Sequence, residues 1–191
     1  MEKLFDSMPN LISPNVSLRE LTIKDLESIK AMLCCTDIYR CVPTFVPELQ
    51  CKGDIEYFIN VMCRELFDKK IEMVLGIYSK YYSDKLCGIF ELYHYIPKEM
   101  KVSIGYRLNK EFWNKGICTE ATSLIVNYLF NQTEITTISA SNMVDNPTSG
   151  RILEKNGFSK EAKYVFEDWG FSQNVCVDKW VLKRKRILEK D

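Results

Sequence analysis

The 191-residue sequence has one histidine, His94, and no two of its cysteines are spaced as CxxC. Protein zinc sites are assembled from such pairs and from histidines, so no metal is expected. Long apolar runs are missing too. Nothing approaches the ~18 consecutive apolar residues of a membrane-spanning helix, so no membrane association is expected. Excess charge of either sign is absent: 26 Lys and Arg balance 26 Asp and Glu. A neutral chain has no global pull toward nucleic acid or an anionic surface. Neither GxxxxGK[ST] nor GxGxxG occurs, which excludes the common nucleotide loops. Internal repeats and low-complexity tracts are lacking as well.

Cysteine, by contrast, is plentiful, with eight at 34, 35, 41, 51, 63, 87, 118 and 176. An even count suits a disulfide framework. However, the opening `MEKLFDSMPN` has no apolar signal core, and Cys63 and Cys87 lie in apolar runs, where a thiol acts as a small hydrophobe. A reduced, cytoplasmic protein is the expectation. The basic run Lys183–Arg186 reads first as a solvated tail, with a nucleic-acid contact as the lesser alternative.

Hydrophobic periodicity divides the chain into alternating and helical segments. `NVSLREL` (15–21) is a short strand, and Thr22 with Asp25 resembles a capping box for a helix bearing Leu26, Ile29, Met32 and Leu33. A second helix over 53–68 carries Ile55, Phe58, Ile59, Met62 and Leu66. Strands follow at 71–82, 85–96 and 101–108, then a helix from Ile117, whose stripe is Ala121, Leu124, Ile125, Tyr128 and Leu129. A strand at 134–141, a helix from Pro147 to Gly157 and strands at 162–169 and 174–184 complete the order β-α-α-β-β-β-α-β-α-β-β. The fold class is α/β: a mixed central sheet of about seven strands flanked by about four helices, in one domain over 1–191 with its core at about 16–184.

The segment `LNKEFWNKGICTEA` joins a strand to a helix mouth. First-turn amides there lack internal acceptors, and the helix dipole favours negative charge. Gly116 lets the backbone approach a ligand closely, and Lys115 adds a positive charge. A phosphate or pyrophosphate suits this chemistry, and a simple turn is the plain alternative.

Two blocks carry a family resemblance. `IGYRLNKEFWNKGICTEA` resembles the acetyl-CoA segment of the GNAT superfamily of N-acetyltransferases, in particular its RimJ/RimL-like branch: Ile104, Gly105, Tyr106, then Trp113, Lys115, Gly116, then Thr119, Glu120, Ala121. `NPTSGRILEKNGF` is similar to the family's later element through Asn146, Ser149, Leu153, Lys155, Gly157 and Phe158. The resemblance implies a GNAT-like (acyl-CoA N-acyltransferase) fold whose strands at about 100–108 and 135–141 splay apart around acetyl-CoA. Backbone at Tyr106, Arg107 and Leu108 would pair with the pantetheine arm. Asn114, Lys115, Gly116, Ile117, Cys118 and Thr119 would meet the pyrophosphate beside Trp113, with Asn142, Asn146 and Ser149 completing the cofactor set. Trp113 stands where Gln or Arg is usual in the superfamily, and Cys118 where Gly or Ala is usual.

The implied reaction is direct attack of a primary amine on the thioester. By resemblance Ser149 serves the sulfur, because the tyrosine often used as acid is replaced by Leu153. The proton acceptor is Glu167, with Asp168 beside it, or else Glu91 among Ile89, Phe90 and Leu92. Cys118 has no histidine neighbour to activate it. Tyr78, Tyr81, Tyr82, Phe90, Tyr93 and Tyr95 either wall an acceptor pocket or pack across strands, and His94 sits among them. Partners would be acetyl-CoA and an amine (a small molecule or a peptide N-terminus), for a monomer or homodimer. A non-catalytic acyl-CoA-binding regulator of the same fold is the alternative.

Overall fold

Strict alternation over 101–108 puts Val102, Ile104, Tyr106 and Leu108 on one face of a strand, and that face organises the molecule. The computed structural model describes residues 2–41 and 54–185. Eight strands form one sheet: β1 Leu11–Ile12, β2 Val16–Arg19, β3 Glu72–Ser79, β4 Lys85–Ile96, β5 Lys101–Leu108, β6 Thr137–Met143, β7 Ser159–Glu167 and β8 Val175–Lys183, in the spatial order β1-β2-β3-β4-β5-β6-β8-β7. All neighbouring pairs are antiparallel except β5 and β6. The eighth strand, β1, has two residues, too few for periodicity to reveal.

Among the described residues, five helices flank the sheet. α1 is Leu26–Leu33 and α2 Thr36–Tyr39. α3 runs as Ile55–Tyr57, a π-helical turn Phe58–Met62, and Cys63–Asp68. α4 is Ile117–Gln132 and α5 Pro147–Lys155. The Thr22–Asp25 pair behaves as anticipated: Asp25 accepts from the Thr22 amide at 2.8 Å, although the turn it starts is 3-10 before α1 begins. The anticipated strand at 134–141 begins only at Thr137. Glu134 is diverted to accept the Leu4 amide (3.1 and 3.0 Å to its two oxygens) and the Tyr95 hydroxyl (2.5 Å).

The two sheet faces are covered differently. Met73, Leu75, Ile77, Phe90, Leu92, Val102, Ile104, Ile138 and Trp180 pack with Ala121, Ile125 and Leu129 of α4 and Leu153 of α5. On the other face, among the described residues, β3 and β4 are roofed: Val74, Tyr78, Leu86 and Ile89 meet Ile29, Met32, Ile38, Phe58, Ile59 and Cys63 of α1, α2 and α3. Tyr78 fastens this roof by donating to Asp25 Oδ2 at 2.7 Å.

β5 and β6 pair at only three positions: Lys101↔Thr137, Val102↔Ile138 and Ser103↔Ser139. Beyond them β5 stays with β4 as far as Gly88↔Leu108, while β6 follows β8 to Met143↔Val177. The sheet therefore splits, and the β5 backbone after Ser103 has no strand partner on that side.

Candidate active site

At the far end of the split, the chain turns from β5 into α4. Phe112 is buried at the bottom of the turn, and Trp113 Nε1 donates to the Leu108 carbonyl at 2.9 Å. Asn114 (φ 59°) and Gly116 (φ 77°) both adopt the left-handed conformation, and Gly116 is the N-cap of α4. Glycine takes this conformation without steric cost. A Cβ built on Gly116 meets no atom within 4 Å, so the helix mouth opens onto free space. The Glu120 amide donates to Gly116 O at 3.0 Å as the first helical bond. The amides of Ile117, Cys118 and Thr119 are therefore the first-turn donors that the helix itself does not use.

Other residues of the segment are structural. Glu120 accepts from Ser13 Oγ (2.5 Å) and from the amide and side chain of Asn15 (3.3 Å each), which fixes the β1–β2 turn. Lys115 Nζ lies over the rings of Tyr82 (4.7 Å) and Phe112 (5.8 Å). The Cys118 thiol faces the core, and burial pushes its pKa far above that of an ordinary thiol. A thiol held protonated in this way is a poor nucleophile.

Across the split stands α5. Asn146 caps it, accepting from the Ser149 amide at 3.2 Å. Asn142 supports the cap from behind: its Nδ2 donates to Asn146 O (3.1 Å) and Met143 O (2.7 Å), and its Oδ1 accepts from Trp180 Nε1 (2.6 Å). Its side chain is thus committed to the framework. Tyr106 reaches over from β5, donating to Ser149 O at 3.1 Å with its hydroxyl 3.1 Å from Ser149 Oγ. Burial raises its phenol pKa strongly. The sequence suggested only a backbone role for Tyr106. The missed signal was its place on the core face, where a phenol must find a partner.

The opposite face of the sheet carries a polar belt. Glu72 lies opposite Tyr93, Tyr93 opposite Ser103, and Ser103 opposite Ser139, the last paired position before the split. Ser103 Oγ and Ser139 Oγ are 2.9 Å apart. Two residues along, Glu91 faces Gly105, whose missing side chain makes room: a Cβ there would sit 3.2 Å from the Tyr93 ring and 3.4 Å from Glu91 Oε2.

Both Glu91 oxygens take hydrogen bonds from Arg107 Nη2, at 2.7 and 2.6 Å, with side chains only 7% and 5% exposed. Glu167, at the end of β7, accepts from Lys179 and from Trp169 Nε1 (2.9 Å). Burial raises its pKa, but those two hydrogen bonds and the charges of Lys179 and His94 outweigh it, leaving the carboxyl below its ordinary value. Asp168 accepts from the Gly170 amide at 2.8 Å. Glu72 went unnoticed in the sequence. Its pKa is raised to about 7, first by burial and then by the Glu91 charge, with Arg107 acting in opposition.

The aromatic set divides. Tyr78 is wholly buried beneath α1, and Phe90 packs on Tyr106 with ring centroids 5.7 Å apart. Tyr95 is tied to Glu134, and Tyr82 lies against Phe112. Tyr93 and His94 line the cleft, their rings 4.9 Å apart. Of the basic run, Arg184 donates to Leu129 O (3.2 Å) and Thr133 O (2.6 Å), while Arg186 lies outside the described residues.

Both ends belong to one open cleft of about 1690 Å³. Gly116, Thr119 and Ser149 line one end, and Glu72, Tyr93, Glu167 and Lys179 the other. Among the described residues, no cluster of three or more His, Cys, Asp or Glu is placed to hold a metal ion. None of the described helices is long and apolar enough to cross a membrane.

A split mixed sheet with a glycine-capped helix at its mouth defines an acyl-CoA-dependent acyltransferase architecture. The model of the acetyltransferase (GNAT) domain matches residues 15–159, and the chain belongs to that family. Acetyl-CoA-dependent N-acetyl transfer is the activity this membership carries. The chain is 27% identical over 165 residues to the uncharacterized N-acetyltransferase YoaA of Bacillus subtilis (strain 168), covering 84% of this chain and 90% of that protein. It is 38% identical over 99 residues to the probable N-acetyltransferase YjcK of the same organism, a match that spans about half of either protein (51% and 54%). The structure of RimL, a ribosomal alpha-N-protein acetyltransferase, in complex with coenzyme A superposes with a TM-score of 0.78. That likeness covers 92% of this chain and 98% of RimL at 13% identity, and at such identity it speaks for the fold alone.

Proposed function

We propose that this protein is a cytoplasmic N-acetyltransferase of the RimJ/RimL-like branch, acting on the primary amine of a small molecule or peptide N-terminus as a single-domain monomer or homodimer. The observation that carries the reading is the split between β5 and β6 leading to the open, left-handed mouth of α4. Unpaired β5 backbone offers hydrogen bonds to an amide-bearing arm, and the amides of Ile117, Cys118 and Thr119 suit a pyrophosphate. Acetyl-CoA supplies an activated thioester.

The chain's own residues do the rest. In this reading Ser149 Oγ donates to the departing sulfur. When that hydroxyl turns away from Tyr106, Tyr106 can donate to it in turn, which makes Tyr106 the positioning residue of a two-hydroxyl relay. Glu91 and Glu167, the two carboxylates expected to accept the amine proton, are both held by cations. Glu91 therefore stiffens the floor of the cleft. Glu167 is a poor base with its lowered pKa, and its charge draws the cationic amine to the rim.

Gly116→Asp tests the placement, because it puts a side chain and a negative charge at the helix mouth. Calorimetric titration should show acetyl-CoA binding weakened at least about tenfold, as expected for like charges meeting at a few ångströms. Unchanged affinity in a folded variant would remove the cofactor from this position.

A further inference from the structure

Glu72 has no place in that mechanism, yet it lines the acceptor end of the cleft. It is half-buried at the start of β3. Two other carboxylates at this end, Glu91 and Glu167, each have a cation within hydrogen-bonding distance. The Glu72 side chain has no hydrogen bond or ion pair among the described residues. Arg107 acts on its carboxyl from a distance, and Arg40 and Lys101 line the same cleft, but none of the three has a hydrogen bond or ion pair to Glu72 among the described residues. Glu91 and Arg107 offset each other in their pair, and Asp37 is taken by Lys110 at 2.6 Å. The Tyr93 and Tyr39 phenols and the Cys63 thiol are neutral, all pushed up by burial. Glu72 thus presents a carboxyl with no hydrogen-bonded partner among the described residues, beside the aromatic ring of Tyr93.

Its location gives that carboxyl a distance. Glu72, Tyr93, Ser103 and Ser139 form one cross-strand row, and the row ends at the apex of the split. Two strand spacings, about 10 Å, separate β3 from β5. The Tyr93 ring lies over Gly105 and paves the way between them. A carboxylate beside an aromatic face is a good receptor for an ammonium group.

We infer that Glu72, together with the ring of Tyr93, binds a second cationic group of the acceptor, about 10 Å from the amine that is acetylated. This inference rests on the acetyltransferase reading. It makes the preferred acceptor a dication, either a diamine or a peptide whose basic side chain lies near its free N-terminus.

The test compares the parent with Glu72→Gln, after acetyl-CoA titration has confirmed that both bind the cofactor. Diaminohexane and diaminooctane are set against hexylamine and octylamine. Peptides with lysine as second residue are set against the same peptides with norleucine. In the parent, kcat/KM should favour the dication by roughly ten- to hundredfold in one of the two arms, and that arm identifies the source. In Glu72→Gln the preference should collapse to near unity, through acceptor KM more than kcat. The parent KM for the dication should fall as pH rises through about 7, because the carboxyl then ionises, and this step should be lost in Glu72→Gln. Equal use of mono- and dications by the parent would overturn the inference while leaving acetyl transfer intact. So would a preference that survives in Glu72→Gln. Failure of the parent to bind acetyl-CoA would instead overturn the acetyltransferase reading, and this inference with it.

Discussion

The two ends of the cleft are built from different materials. The end proposed for the cofactor is backbone: an unpaired strand edge, a left-handed glycine and three helix amides. The acceptor end is side chains facing one another across strands: Glu72, Tyr93, Glu91 and Arg107. Backbone sites bind what every member of a family shares, since any sequence that keeps the conformation keeps the donors. Cross-strand side-chain sites can change one residue at a time while the sheet persists. This division explains why the cofactor was readable and the acceptor was not.

The contrast can be broken most severely at the Glu91–Arg107 pair. Glu91→Ala leaves a guanidinium buried without its carboxylate, and urea unfolding should show a loss of about 3–5 kcal/mol. Replacing both, as Glu91→Leu with Arg107→Met, should restore most of that stability, because a well-packed apolar pair is about neutral against a buried ion pair. A double variant as unstable as the single one would mean that the pair does more than balance its own charge.

Ser149→Ala comes next. Steady-state kinetics should show kcat reduced roughly ten- to a thousandfold, the range for a positioned proton donor, with acetyl-CoA affinity much less affected. Tyr106→Phe should produce a smaller fall in the same direction, since it acts through Ser149. If Ser149→Ala turns over like the parent, the hydroxyl is no more than part of the helix start.

Smaller effects belong to single hydrogen bonds. Trp113→Phe removes the indole donor to Leu108 O and should cost about 0.5–1.5 kcal/mol of stability by thermal or urea unfolding. The smallest concerns Lys179 and Glu167, a partly exposed pair worth about 0.2–1 kcal/mol. The folded pKa of Glu167 lies below its unfolded value of 4.5, so this stabilisation is present above that value. It is lost as pH falls through the folded pKa. Lys179→Met should flatten the acid limb of the stability profile, and an unaltered limb would show the pair to be inert.

Legibility followed the same division. Gly116 could be read because a strand, a glycine and an amphipathic helix in succession constrain the backbone locally. The helix stripe from Ile117 to Leu129 was readable for the same reason. The grip of Arg107 on Glu91 could not be read, because it depends on register between strands, and a one-residue slip would turn either side chain to the other face. Tyr78 could be read as a pocket wall or as cross-strand packing, and nothing in the sequence signalled that its hydroxyl meets Asp25 across 53 residues of chain. Glu72 drew no notice within the strand expected at 71–82. Its meaning comes from neighbours that are paired with one another and not with it, and that is a property of the assembled sheet.

The central claim is that acetyl-CoA lies along the split with its pyrophosphate at the α4 mouth. Amide resonances of the isotopically labelled protein, followed through an acetyl-CoA titration, test this most directly. The largest shifts should fall on Lys115–Thr119 and on Tyr106–Leu108, with the Glu72–Ser79 strand nearly unmoved. Shifts concentrated on that strand, with the Gly116 and Ile117 amides unchanged, would contradict the account.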